Sequence, residues 1–362
     1  MHSFARELLT WYREHKRDLP WRGTRDAYAV WVSEVMLQQT RAETVVPYYL
    51  RWMRRFPTPA SLARATEQQV MRLWEGLGYY RRALALRNGA RQIMNEHGGS
   101  VPRDPASLAR LPGVGSYTAA AVAAIAFDAD EIALDGNLRR VLSRLSNLDR
   151  DPRRPEAERM LRQYARRKLP PGHAADFNQA LMDLGALICV TREPRCGLCP
   201  VGAWCVARKK GLQAQRPVRG RSRRVPEHVA TAGVIRRNGR VLIAKRPPGV
   251  LLGGLWEFPG GKRRSRESLH DCLRRELREE LGVRVRVGER VGEIRHSYSH
   301  FGVTVYAFEC RLLRGTPAAL EHAAIHWAAP SRLKAYPMGF VARRIAQAVS
   351  ARRKPPDNGR HR

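Results

Sequence analysis

The sequence predicts an all-α half followed by an α/β half, and three observations predict it. From the start to about residue 208, apolar residues recur at helical spacing and the turns carry Gly and Pro, as in "FPTPASL", "EHGGSVPRDPASL" and "LPGVGS". Beyond residue 227 come strand-like runs, "HVATAGVIRR", "RVLIAKR", "VRVRVGERVGEIRH" and "VTVYAFECRLL", around one helix at about 266–281. The chain has 362 residues, enough for two separately buried cores. The expected division is 1–208 for the helical domain, 209–227 for a linker poor in apolar residues and rich in Arg, and 228–350 for the second domain. The tail 351–362, "ARRKPPDNGRHR", is expected to be disordered.

Lys and Arg number 66 against 33 Asp and Glu, a formal net charge of +33. Such a surface holds a polyanion in a salt-sensitive way, which makes nucleic acid the favoured partner class, although part of the Arg excess is ordinary solvated surface. No apolar run reaches the ~18 residues of a membrane span, and the first residues lack the apolar core of a signal peptide. A cytoplasmic, monomeric protein with no membrane partner is expected. In that compartment six cysteines do not suggest a disulfide framework, and four of them crowd between 189 and 205.

The first helix with chemistry in it starts at Asp26. It places Ala27, Val30, Trp31, Glu34 and Val35 at i, i+3, i+4, i+7 and i+8, so Glu34 falls on an apolar stripe. A carboxyl there either pairs with Arg or has its pKa raised by desolvation, and the second outcome makes it a general acid. "DPASLARLPGVGSYTAAAVAAIAF" is a helix–hairpin–helix: a helix opened by Asp104 and Pro105, a tight turn at Gly113 and Gly115, and an Ala-rich second helix from near Ser116. Its glycines let backbone N–H groups approach a phosphate without reading sequence. In "EIALDGNLRRVLSRL", Asp135 stands just before a helix, as an N-cap or as a carboxylate facing a developing cation.

Cys189, Cys196, Cys199 and Cys205 are spaced C-x6-C-x2-C-x5-C. Four thiolates so close suit zinc or iron–sulfur, and a single C-x2-C pair leans towards iron–sulfur. Cys272 and Cys310 have apolar neighbours and read as buried thiols. In "GKRRSRESLHDCLRRELREELGV", residues 261–283, Glu276, Glu279 and Glu280 share one helix face. Like charges at that spacing call for a cation, either magnesium or the neighbouring Arg274, Arg275 and Arg278.

"PWR", "SEVMLQQT", "LWEGLGYY", "LPGVGSYTAAA", "LDGNLRRV", "FNQALMDLGALIC" and the cysteine loop resemble, in order and spacing, the MutY-type adenine DNA glycosylases. The resemblance is dense over roughly residues 4–207 and continues through "PEHV" and "RHSYSHF". It implies an all-α helix-hairpin-helix glycosylase domain with a [4Fe–4S] cluster on the four cysteines, followed by an α/β Nudix-like domain. It also implies removal of adenine paired with 8-oxoguanine or guanine in double-stranded DNA, by flipping the base into a pocket.

By motif position, Glu34 would protonate the adenine and Asp135 would stabilise the sugar cation, with Tyr117 and Asn137 in support. Arg22, Trp31 and Gln179 would hold the base, while Gln38, Gln39 and Tyr79 would wedge into the stack. Gly113, Gly115, Arg192 and Arg195 would meet the DNA backbone. Tyr298, Ser299 and His300 would read the 8-oxoguanine strand, with Tyr298 where the family usually has Phe. Related bifunctional enzymes carry a Schiff-base lysine at the position of Tyr117, so base removal without strand cleavage is implied.

Residues 261–283 also satisfy the Nudix pattern completely, whereas this family usually has a degraded box. That leaves a glycosylase with a second, magnesium-dependent pyrophosphohydrolase site as the alternative. A lesion-binding protein without catalysis is the reading from a different class, and the pair Glu34 and Asp135 argues against it.

Overall fold

The computed structural model describes residues 3–218, 220, 225–298 and 300–351. Its contacts divide the chain into one unit of Met1–Thr66 with Arg82–Ser222 and a second of Glu67–Arg81 with Arg223–Arg362.

The described residues of the first unit form helices and turns only. At its centre the helix Ala27–Leu37 packs against the Ala-rich helix Ser116–Phe127. Asp26 caps the former, accepting from the backbone N–H of Tyr28 and Ala29. The expected apolar stripe is instead a helix buried on every side from Tyr28 to Met36, because Ser116–Phe127 and Ala42–Arg55 both pack against it. Alanines at 119, 120, 121, 123, 124 and 126 let the backbones come close.

The hairpin matches its sequence signals. Asp104 accepts from the Ser107 N–H at 2.7 Å, Pro105 opens a short helix, and Gly113 makes the turn with φ +75°. A Cβ at Gly113 would lie 2.6 Å from that of Ala85, whereas one at Gly115 would meet nothing. The helices Gly136–Ser146 and Ala174–Leu187 pack on each other and complete the site's frame.

Residues 209–216, expected to be linker, are tied to this unit. Arg144, 2% exposed, donates through Nε to the carbonyls of Gln213 and Arg216 at 2.9 and 3.1 Å.

The second unit is built on a mixed sheet of β1 (Glu227–Arg237), β2 (Arg240–Lys245), β3 (Trp256–Glu257), β4 (Arg284–Ser297), β5 (Gly302–Arg314) and β6 (Ala324–Ala328). Its order is β3-β2-β1-β5-β4, with β6 beside β2; β1 and β5 run parallel and the other pairs antiparallel. Helix Leu269–Leu281 lays Leu273, Leu277 and Leu281 on Ile235, Leu242 and Phe308. Helix Phe340–Ala351 lays Ala342, Ile345 and Val349 on Ala232, Val303 and Val305. Covered on both faces, β1 is buried over six successive residues.

The segment 67–81 packs with this unit: the Tyr80 hydroxyl donates to the Met338 carbonyl at 3.1 Å, and Glu75 pairs with Arg343. Among the described residues no helix is long and apolar enough to cross a membrane.

Candidate active site

A pocket of about 920 Å³ opens in the helical unit, and Glu34 and Asp135 both line it. Glu34 is 4% exposed and accepts a 2.6 Å hydrogen bond from the Tyr117 hydroxyl. Burial pushes its carboxyl up to about 7, although Tyr117 and the charge of Arg22 pull the other way. Glu34 therefore carries a proton over much of the range in which a free carboxylic acid has lost it.

Asp135 caps the helix Gly136–Ser146, one of its two sequence readings, and also lines the pocket. Its Oδ1 accepts from the Leu138 N–H at 2.7 Å, and its Oδ2 accepts from Asn137 Nδ2 at 3.1 Å. Burial raises its pKa, against these two hydrogen bonds and the charge of Arg140. Arg140 also donates to Asn137 Oδ1 at 2.9 Å. A guanidinium cannot accept, so the Asn137 amide must turn its NH2 towards Asp135.

Across the pocket, Arg22 donates to Gln179 Oε1 at 2.7 Å, to the Tyr12 hydroxyl at 2.9 Å and to Asp183 at 2.9 Å. Gln38 donates to Thr118 at 3.0 Å, and Gln39 lines the mouth with φ +58°. That left-handed conformation is uncommon outside glycine and is found at functional sites. Exposed Tyr79, φ +50°, shares it.

Cys189, Cys196, Cys199 and Cys205 are free thiols around one cavity in the same unit. Arg144 donates to Cys189 Sγ at 3.3 Å, and Arg140 donates to the Cys189 carbonyl at 2.8 Å. Burial, with the other three thiols adding, pushes the Cys199 thiol up to about 11. Four thiolates here need positive charge among them. Arg192 and Arg195 are exposed on this loop.

In the second unit the box glutamates surround a guanidinium. Arg275 reaches Glu267 at 2.8 Å, Glu276 at 2.7 Å and Glu279 at 2.9 Å. Glu280 turns elsewhere and accepts from the Gly260 N–H at 2.8 Å; burial pushes it up to about 7 against the charge of His322. The turn from β4 to β5 is closed by the Tyr298 N–H on the Phe301 carbonyl at 2.8 Å.

A family model described as HhH-GPD superfamily base excision DNA repair protein matches residues 32–167, and one described as NUDIX domain matches residues 231–348. The adenine DNA glycosylase of Rattus norvegicus is 37% identical over an alignment covering 90% of this chain and 73% of that protein. The chain belongs to the adenine DNA glycosylase family. Among solved structures, a thermostable thymine-DNA glycosylase aligns with TM-score 0.53 and 32% identity over 57% of this chain and 95% of its own. An endonuclease III–DNA complex aligns with TM-score 0.50 and 21% identity over 58% of this chain and 95% of its own, a likeness of fold. The architecture is thus a helix–hairpin–helix glycosylase domain followed by a Nudix domain.

For this adenine DNA glycosylase family member, Arg22, Glu34, Gln38, Gln39, Gly113, Gly115, Tyr117, Asp135, Asn137 and Gln179 line one pocket. Trp31, expected at the base, does not: it is 0% exposed, and a Cβ added at Gly89 would come within 2.9 Å of its ring. Its helix lines the pocket through Val30, Ser33, Glu34 and Leu37 instead, which leaves Trp31 as core. Tyr79 belongs to the second unit.

Tyr298 is half-buried, with ring centroids 4.5 Å from His296 and 4.9 Å from Phe301, so it is packed into the turn rather than free. His300 is exposed there, while Ser299 and the tail 352–362 lie outside the described residues. In the expected magnesium set, Glu276 and Glu279 both pair with Arg275, while Glu280 accepts from the Gly260 N–H.

Sequence reasoning missed Asp183, Arg17, Arg140 and Arg144. Asp183 stands four residues after Gln179 on one helix, a spacing that could have drawn attention to it.

Proposed function

We propose that this protein hydrolyses the N-glycosidic bond of adenine opposite 8-oxoguanine in duplex DNA, leaving the strand intact. The observation that carries the reading is a buried carboxyl poised near 7, on the wall of a pocket that a second, hydrogen-bonded carboxylate also lines. Glu34 donates its proton to a ring nitrogen of the flipped adenine, which makes the base a competent leaving group. Tyr117 already donates to Glu34 Oε2, so the other carboxyl oxygen is the one free to hold the proton.

Asp135, held by Leu138 and Asn137, faces the positive charge that grows on the sugar until water adds. Arg22 and Gln179 hold the base, and Gln38 and Gln39 fill the gap it leaves. Among the described residues lining the pocket there is no lysine, which favours hydrolysis without a Schiff base.

Gly115 favours DNA contact at the hairpin, since its φ is −87° and nothing inside the protein requires a glycine there. A bare backbone N–H at a helix start suits a phosphate. The four cysteines fit a [4Fe–4S] cluster better than one zinc ion: they line a common cavity, yet no three of them close on a point. When bound, the cluster would offset part of the charge of the four thiolates and stiffen the loop that carries Arg192 and Arg195 towards the DNA backbone.

The turn 298–301 is the proposed reader of 8-oxoguanine, through Ser299 and His300 on a base set by Tyr298. Magnesium-dependent nucleotide hydrolysis is not favoured, since Arg275 takes two of the three proposed ligands. The test is single-turnover release of adenine from an 8-oxoguanine:adenine duplex, with strand integrity read in parallel. No release would overturn the proposal.

A further inference from the structure

Asp183 is a buried carboxylate, just behind the pocket residues Arg17 and Arg22, for which the mechanism above has no use. It lies on the helix Ala174–Leu187 with 0% of its residue surface exposed. Its Oδ1 accepts from Arg22 Nη2 at 2.9 Å and from Arg17 Nε at 2.8 Å, and its Oδ2 accepts from the Arg17 backbone N–H at 3.2 Å. Arg22 spends its remaining terminal nitrogen on Tyr12 and Gln179. The guanidinium is therefore committed on both sides, and among the described residues Glu34 has no ion-pair partner although both side chains line the same pocket.

We infer that Asp183 is a positioning residue for the acid: by drawing the Arg22 guanidinium onto itself, it keeps that cation off the Glu34 carboxyl and so keeps a proton there for the base. The inference rests on the reading of Glu34 as general acid.

Three charged or titratable groups act on Glu34 directly. They are Tyr117 from the helix Ser116–Phe127, Asp135 from the start of Gly136–Ser146, and Arg22 from the segment before Ala27–Leu37. Arg17, Arg41, Glu43 and Arg139 also line the pocket. Arg82, beneath the end of the Glu34 helix, is engaged with the carbonyls of Val35 and Met36. Of these groups Arg22 is the cation whose charge already pulls on the Glu34 proton. With Asp183 neutral, two arginines lose their shared buried counter-charge, and the Arg22 fork is free to swing to the pocket carboxyl its charge already pulls on. That carboxyl is Glu34, and an ion pair would strip its proton.

The test is the pH dependence of single-turnover adenine release by the full chain. Asp183→Asn should keep a near wild-type rate at acid pH and move the alkaline limb down by about one unit, the size expected of a newly paired carboxylate. Asp183→Glu, which retains the charge, should keep the wild-type limb even if its rate falls. The double variant Arg22→Gln/Asp183→Asn removes both charges, so it also guards against misfolding from an unpaired buried Arg22. Its limb should lie at or above that of the wild type.

An Asp183→Asn limb that does not move, a loss by one factor at every pH, or a double variant shifted down would each overturn the inference. Failure of the underlying reading looks different: Glu34→Gln would then release adenine at the wild-type rate, or the wild type would show no alkaline limb.

Discussion

Two groups of carboxylates, one in each unit, differ chiefly in where the nearest guanidinium sits. In the helical unit Glu34 is buried with a phenol for a neighbour and no ion-pair partner among the described residues, so desolvation lifts it to about 7. In the second unit Glu267, Glu276 and Glu279 share Arg275, and Glu267 is held down to about 2 by it. Arg22 could have played the part of Arg275 in the first site, but Asp183 takes it. A complete motif is thus not the same as available charge. The box has every residue of its pattern, yet three of its carboxylates already share one guanidinium, while two acids in the helical unit have no ion-pair partner among the described residues.

The largest expected effect breaks the comparison at its reactive end. Glu34→Gln or Asp135→Asn should slow single-turnover adenine release by about 10²–10⁴-fold while duplex binding persists, since each keeps its shape and loses only its proton or charge. A rate near wild type in either would remove the distinction between the two groups.

Next comes the pH profile of the wild type. Glu34 must be protonated to act, and its pKa lies at about 7, so the rate should hold below that value and fall about tenfold per unit well above it. A profile flat to pH 9 would mean that burial does not poise this acid.

The quiet end of the comparison is tested with magnesium and 8-oxo-dGTP on the full chain, where no monophosphate is expected. Turnover that disappears in Glu279→Gln would show that Arg275 yields its carboxylates to metal. Arg275→Gln should lower the thermal stability of the second unit by about 1–2 kcal/mol, reduced from the cost of a fully buried pair by its partial exposure.

The smallest effect sharpens the hairpin. Gly113→Ala should cost about 1–3 kcal/mol, because its φ of +75° and a 2.6 Å approach to Ala85 both exclude a side chain. Gly115→Ala should leave stability unchanged and weaken DNA binding, read as a shift in affinity at fixed salt. Equal loss of stability in both would assign the two glycines to folding alone.

Local features were legible in the sequence because their causes are local. The Asp26 and Asp104 caps, the Gly113 turn, the four longest strands and the helix that carries the box all follow from the order of a few neighbouring residues. The acids Glu34 and Asp135 stood out by type and place, and motif resemblance drew them into one site. Strands β3 and β6, of two and five residues, are too short to show alternation and are defined by their pairing with β2.

Tertiary structure alone decided that Trp31 is core, that Tyr79 packs with the second unit, and that Arg275 pairs with three of the box glutamates. It also decided that Asp183, 161 positions away in sequence, claims Arg22. Propensity and spacing act over a turn or two of chain. Desolvation and charge pairing depend on what folding brings within a few ångströms, and in this protein those contacts decide which carboxylates keep a proton.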